Sequence, residues 1–304
     1  MKWLDRQSFL GDDSTERLDA FTVGIVGLGG GGSHVAQQLA HIGIGHFVLV
    51  DDDVIDESNL NRLVGGTRAD VEQSARKVDI AARVILAVNP HARVTRIAQR
   101  WQLATDPLKL CDAIFGGVDS VRAKDELEAF CRRLLIPYLD QGMDVHDLDG
   151  QFLIAGQVVL SVPGGPCLRC LGVVTEEALD GEGRNYGAAG GKPQVVWPNG
   201  VLASTAVGLF LQMVTPWHRT PEQGACLEYD GNTQTVRASD RMQRLRDRGC
   251  PHCPIGDVGD PSFDVRKLPA RPTAPETPAP AASTPRAAWP LRVWRDLLDK
   301  VLGR

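Results

Sequence analysis

The chain has 304 residues, 43% of them apolar, and a formal net charge of −5. That length and apolar content allow one large or two ordinary domains around a sizeable core. The charge gives no basic footprint for nucleic acid, no run approaches the roughly 18 apolar residues of a membrane span, and "MKWLDRQSFLGDDSTER" is too charged for a secretory signal, so a cytoplasmic globular protein is expected.

The first patterned stretch is "VGIVGLGGGGSHVAQQLAHIGIGHFVLVDDD", residues 23–53. An apolar strand over 23–26 leads into Gly27, Gly29 and Gly32, spaced G-x-G-x-x-G, and a helical pattern starts near Ser33. Glycines let the backbone turn tightly and approach a phosphate, which then sits on the positive end of a helix. A second strand, 47–50, delivers Asp51 about 20 residues past the glycines, where a carboxylate meets a ribose hydroxyl. NAD and ATP share that ribose, so the motif does not choose between them. Further on come a helix near 75–88, a strand at 94–97, the strand in "CDAIFGGVD", an amphipathic helix in "SVRAKDELEAFCRRLLIP" ended by Pro137, and a strand at "YLDQGMD". This βαβ rhythm predicts a parallel sheet. "GQFLIAGQVVLSVPG" and "CLEYDGNTQTVRASD" read as strands joined by turns, and 199–214 as a buried helix, so an antiparallel half continues the parallel one. Between them, 173–198 has no periodicity and reads as a long functional or mobile loop. The main domain is expected over 1–258, followed by a Pro/Ala-rich disordered linker over 259–288. A short amphipathic helix over 289–304, with Leu291, Trp294, Leu298 and Val301 on one face, then fits a docking peptide or a return onto the chain's own dimer.

The basic residues beyond Asp51 favour a triphosphate. Arg62 in "DDDVIDESNLNR" and Lys77 could neutralise phosphate oxygens, and Asp119 in "GGVDS" could hold magnesium. Singly each has a plainer reading: Asn59 caps a turn, Lys77 is a solvated helix lysine, and Asp119 is a helix N-cap. His34, at the helix start, is read as exposed rather than functional. An NAD-dependent oxidoreductase would need an acid–base residue in a substrate domain, and none stands out. A second signal is the pair "CLRC" and "CPHC": Cys167, Cys170, Cys250 and Cys253 suit a closed, tetrahedral, structural zinc site, with His252 as a substitute ligand and redox disulfides as the competing reading.

Taken in order, "DRQ" at 5–7, "GIVGLGGGGS", "LVDDDVIDESNLNR", Lys77, "GGVDS" and the two C-x-x-C pairs resemble the ThiF, MoeB and ubiquitin-activating adenylyltransferase superfamily over roughly residues 1–256. The resemblance implies an α/β fold with a Rossmann-like mixed sheet of eight strands, ATP at the glycine turn, and a homodimer. It implies Gly30 near the phosphates, Asp51 on the ribose, Asp53, Asn59, Arg62 and Lys77 on the phosphates, Asp119 on magnesium, and Arg6 as an arginine inserted into the partner subunit's site. The implied reaction is attack of a carrier protein's C-terminal carboxylate on the α-phosphate of ATP. That nucleophile, with a pKa near 3.5, is already ionised and needs no base. The implied partner is a ubiquitin-like or sulfur-carrier protein ending in Gly-Gly. Family members that form a thioester carry a cysteine in the crossover loop, and 173–198 has none; Cys111, Cys131 and Cys226 read as small buried hydrophobes. Transfer to a conjugating enzyme or another acceptor is therefore expected. Within the superfamily, a tRNA threonylcarbamoyladenosine dehydratase and a peptide-modifying adenylyltransferase are the alternatives.

Overall fold

The computed structural model describes residues 2–184, 193–218, 224–245 and 248–253. The linker and C-terminal helix expected over 259–304 lie outside the described residues. Eight strands form one sheet: β1 (Thr22–Val26), β2 (His46–Val50), β3 (Arg93–Ile97), β4 (Ala113–Gly116), β5 (Tyr138–Leu148), β6 (Gln151–Ser161), β7 (Ala225–Asp230) and β8 (Thr235–Ala238), in the order β3-β2-β1-β4-β5-β6-β7-β8. Pairings from β3 through β5 are parallel and those from β5 to β8 antiparallel, as the switch from βαβ rhythm to strand pairs predicts. The β5–β6 hairpin turns at Asp149 (φ 54°) and Gly150 (φ 85°), the backbone of the two-residue turn that an Asp-Gly pair favours.

In chain order the α-helices of the described residues are α1 (Ser14–Ala20), α2 (Gly30–Ile42), α3 (Arg68–Glu72), α4 (Lys77–Val88), α5 (Thr105–Leu108), α6 (Val121–Arg133), α7 (Glu176–Arg184), α8 (Val196–Val214) and α9 (Asp240–Leu245). Strand alternation divides the core. Ile25, Phe115, Leu139 and Val158 pack on one face with α2 (Gly30–Ile42), α4 (Lys77–Val88) and α8 (Val196–Val214). Their neighbours Val26, Ile114, Tyr138 and Val159 pack on the other with Leu127 and Cys131 of α6 (Val121–Arg133) and with Leu168 and Leu171. Successive strand residues point to opposite faces, so one apolar run feeds two layers. α8 carries nine buried residues, among them Phe210, which explains its nearly all-apolar sequence. No described helix is long and apolar enough to cross a membrane.

Local structure differs from the sequence expectation at four helices. α2 and α8 each begin three residues earlier, and Pro198 sits in the first turn of α8, where its missing N–H removes no helical bond. α6 ends at Arg133 rather than running to Pro137, because Leu135 takes a left-handed φ of 61°. Part of the stretch read as a loop over 173–198 is helical: α7 (Glu176–Arg184). Its Glu182 carboxylate accepts hydrogen bonds from the Val121 and Arg122 N–H groups (2.7 and 3.0 Å) and the Ser120 hydroxyl (3.2 Å), anchoring it on the N-terminus of α6. That anchor is a contact across some 60 residues, so no periodicity within the segment signals it.

Candidate nucleotide site and metal cluster

From β1 the chain winds outward through β2 to β3, then returns to place β4 on the other side of β1. This is the topological switch point of the sheet, where a crevice opens beyond the strand ends. Gly27 follows β1 with φ 85°, and a Cβ there would lie 2.6 Å from the Gly117 carbonyl oxygen. Only glycine lets the loops after β1 and β4 approach so closely. Gly29 caps α2, and the first N–H groups of that helix open into the crevice without helical partners.

Two cavities meet there. The larger, ≈ 550 Å³, is lined by Gly27, Gly29, the Asp51–Asp53 run, Lys77, Trp101 and Asp119. The smaller, ≈ 100 Å³, is lined by Gly29, Gly30, Asn59, Arg62, Lys77 and Asp119, with Lys124, Gln141 and Asn199 at its far side. Gly29, Lys77 and Asp119 border both. The larger volume suits a nucleoside, since small-molecule pockets run to about 300–1,000 Å³.

Each expected residue can be placed. Asp51 accepts the Leu28 N–H at 2.6 Å and the Asp53 N–H at 2.9 Å, and burial raises its pKa above the ordinary aspartate value. Lys77 is not a solvated lysine: its side chain is 11% exposed and bonds Asp53 at 2.7 Å. Asn59 is buried and forms a reciprocal capping box with Asp56, so it holds the 56–59 turn while lining the smaller cavity. Arg62 folds onto that turn, donating to the Ser58 carbonyl (2.6 Å) and Asn61 Oδ1 (3.0 Å). Ser120, not Asp119, caps α6, which leaves the exposed Asp119 carboxylate at the cavity mouth with the Gln194 amide 3.4 Å away. Gly32 packs under Gly27, where a Cβ would collide with the Gly27 carbonyl. Arg6 is exposed on the N-terminal segment and lines neither cavity. His34 is half-buried against Gly200, with Nε2 unpaired among the described residues, and desolvation lowers its pKa. Lys124, Gln141 and Asn199 escaped the sequence reading because they lie on helices and a strand far from the glycine motif. An isolated lysine, glutamine or asparagine carries no spacing signal.

A separate cluster forms where the chain leaves β6 and where it follows β8. Cys167, Cys170, Cys250 and His252 bring one donor atom each within 4.8 Å of one another. His252 Nδ1 is 3.5 and 3.4 Å from the Cys167 and Cys170 sulfurs, and Cys170 and Cys250 are 3.5 Å apart. Cys253 contacts Cys167, and its hydrogen bond holds the Cys167 thiol far below its ordinary pKa, down to about 4. Three soft sulfurs and an imidazole match the Cys₃His donor set of structural zinc, and all seven cysteines are free rather than disulfide-bonded. The knuckle is tied to α6: the Leu168 N–H donates to Glu128 at 3.0 Å, and Arg169 makes two 2.7 Å bonds to Asp125. The other three thiols, Cys111, Cys131 and Cys226, are buried, and desolvation raises their pKa values, that of Cys111 to about 12.

A model of the ThiF family matches residues 4–252. The chain belongs to the ThiF family. Among its relatives, the sulfur carrier protein ThiS adenylyltransferase of Escherichia coli is 30% identical over 263 residues, 84% of this chain and 96% of that protein. The SAMP-activating enzyme E1 of Haloferax volcanii is 32% identical over 164 residues, 53% of this chain, and the match spans little more than half, 57%, of the archaeal protein. In fold, the chain resembles the microcin C7 biosynthetic enzyme MccB in its complex with N-formylated MccA, with a TM-score of 0.64, 22% identity, and coverage of 82% of this chain and 72% of MccB. As a ThiF-family protein with such relatives, the chain is an adenylyltransferase of the ubiquitin-activating type that uses ATP. The glycine turn, Asp51, Lys77 and Asp119 converge at the paired cavities of the switch point.

Proposed function

We propose that this ThiF-family chain adenylates the C-terminal carboxylate of a ubiquitin-like or sulfur-carrier protein ending in Gly-Gly and hands the acyl group to a partner's acceptor. The observation that carries this reading is the pair of cavities joined at Gly29, Lys77 and Asp119. A nucleoside fits the larger, the α-phosphate lies at the junction, and the smaller offers Asn59 and Arg62 to the outer phosphates and its Gln141 and Asn199 part to the acyl chain end. In this reading Asp51 accepts a ribose hydroxyl, the N–H groups at Gly29 and Gly30 face phosphate oxygens, and Asp53, Asn59, Arg62 and Lys77 hold the phosphates, with Asp53 acting through Lys77. Asp119 offers a hard oxygen donor where magnesium would sit, and that ion would neutralise charge on the phosphates.

The carboxylate oxygen of the carrier forms a bond to the α-phosphorus while the bond to the bridging oxygen breaks, releasing pyrophosphate. No proton moves, because the nucleophile is already anionic. The chain therefore supplies alignment and positive charge rather than a base. Internal transfer to a thiol is disfavoured by the burial and raised pKa values of Cys111, Cys131 and Cys226, so the acceptor belongs to a conjugating enzyme, a sulfur donor or another partner. The zinc cluster ties the 167–170 turn to the chain after β8 and contributes to folding, not chemistry.

The same reading makes the enzyme a homodimer with Arg6 acting in the partner subunit's site. Mixing Arg6→Ala with Lys77→Ala subunits would regenerate one intact site per heterodimer; heterodimers with no recovered activity would remove Arg6 from the site. The function itself is tested by ATP–pyrophosphate exchange against a panel of small Gly-Gly-ending proteins from the same organism. Exchange stimulated by at least one of them, and abolished when its last glycine is deleted, is expected. Stimulation by none would reject the carrier reading.

A further inference from the structure

The first turn of α8 lies over the glycine turn and brings an amide to the small cavity. Asn199 is 6% exposed and packs on Gly30, where a Cβ would come within 2.6 Å of Asn199 Nδ2 and 3.3 Å of Oδ1. A side chain at position 30 would push that amide away. Nδ2 donates to the Val195 carbonyl at 2.9 Å, which fixes the carboxamide in one orientation and leaves Oδ1 as its free end. The chain just before α8 is itself held in place: Asn61 Nδ2 donates to the Gln194 carbonyl at 2.8 Å, and the Gln194 amide reaches Asp119 at 3.4 Å. Oδ1 has no hydrogen-bond partner among the described residues, yet it is not among their sealed polar atoms, so it stays open at the wall of the ≈ 100 Å³ cavity. The Gln141 amide differs in this respect, since both its ends are sealed.

This oxygen is an acceptor set beside donors. The N–H groups of Gly30 and Gly31, in the first turn of α2, have no helical partners and suit the negative end of a ligand. A single acceptor next to them calls for a ligand that carries an N–H close to its own anion. The last residue of a polypeptide is such a group, because its peptide N–H and its carboxylate hang on one Cα. A glycine there also brings no side chain against the wall of Gly29, Gly30 and Gly31. We propose that Asn199 Oδ1 accepts the N–H of the last residue of the polypeptide to be adenylated. This rests on the carrier reading above and deepens it. Only the N–H is read, and the carbonyl of that trans peptide group points the other way. Asn199 is thus a specificity residue that distinguishes a peptide terminus from a carboxylic acid without an adjacent N–H. The terminal N–H is unchanged between bound substrate and transition state, so the contact contributes to KM rather than kcat.

The test is a cycle on pyrophosphate exchange. Wild type and Asn199→Leu are each assayed with a Gly-Gly-ending carrier and with a semisynthetic form of it whose last glycine is replaced by glycolic acid, which puts an ester oxygen where the peptide N–H stood. Wild type is expected to show a KM at least about tenfold higher for the glycolate carrier, since an acceptor left facing another oxygen is costly. Asn199→Leu is expected to raise KM for the native carrier at least about fivefold, with kcat within about threefold, KM for ATP unchanged, and the two carriers within about threefold of each other. Loss of the bond to Val195 lowers stability in any variant, but the ratio between two carriers on one enzyme is independent of that loss. Asn199→Ala gives the same ratio should the leucine variant not fold. A wild type that treats the two carriers alike, or variants that keep the wild-type ratio, would overturn the proposal while leaving adenylation standing. If wild type exchanges with neither carrier, the adenylation reading falls and this proposal falls with it.

Discussion

Lys124→Met should be among the more damaging single substitutions in this protein, and the reason lies on β5. Lys124 Nζ is 2.7 Å from Asp140 Oδ1, with the two side chains 8% and 0% exposed. Asp140 Oδ1 also accepts the Tyr138 hydroxyl at 3.1 Å, while Oδ2 has no partner among the described residues. Removing the ammonium leaves a carboxylate sealed in the core with one hydroxyl donor. Breaking a buried pair in this way costs about 3–5 kcal/mol. In a domain of this size that corresponds to a fall in melting temperature of roughly 6–20 °C. Replacing both partners by apolar groups of similar volume, Lys124→Met with Asp140→Leu, removes the stranded charge and should recover most of the loss, because paired buried ions often contribute little net stability. Urea unfolding of the wild type, both single variants and the double variant measures the coupling, expected at about 2 kcal/mol or more. A Lys124→Met cost below about 1 kcal/mol, or a double variant as unstable as the sum of the singles, would refute the reasoning.

Asp119→Ala and Arg62→Ala should each abolish carrier-dependent pyrophosphate exchange while unfolding at the wild-type urea midpoint, since one is exposed and the other bonds only its own turn; near-normal exchange in both would dismiss the assigned phosphate site. About one zinc per chain is expected by elemental analysis, and Cys167→Ser and His252→Ala should lose metal and stability together while Cys253→Ser keeps the metal. Retention in His252→Ala with loss in Cys253→Ser would instead establish the four-thiolate set. Arg83 holds the Asp70 carboxyl far below the usual carboxylate range through two 2.7 Å bonds, with Thr67 adding more. Because the folded pKa is depressed, that stabilisation is present above the unfolded value of about 3.9 and is lost as pH falls through the folded value. Asp70→Asn should therefore cost about 2 kcal/mol at neutral pH, with the deficit shrinking below about pH 4; a pH-independent deficit would contradict it.

Much of the fold was legible because its determinants are local. Gly27, Asp51 and Lys77 stand at the ends of elements whose period and caps are written in adjacent residues, and the switch from parallel to antiparallel pairing follows from the change of rhythm after β5. Asp119 could be read two ways from sequence, as an N-cap or as a ligand, and its neighbour Ser120 takes the cap. What stayed hidden depends on contacts between distant segments. α7 is anchored by Glu182 on α6, and Gln141 gains its place from Lys124 on one side and Gly31 on the other. None of these leaves a spacing in the chain.

The most direct test of the account is to trap the adenylate. The enzyme is incubated with α-labelled ATP, magnesium, pyrophosphatase and a Gly-Gly-ending carrier, and enzyme and carrier are analysed by intact mass in acid, with and without reductant. The account predicts a carrier increased by one AMP, label on the carrier and not on the enzyme, and no reducible enzyme–carrier adduct. Label that never reaches any carrier, or a reducible adduct on Cys111, Cys131 or Cys226, would contradict it.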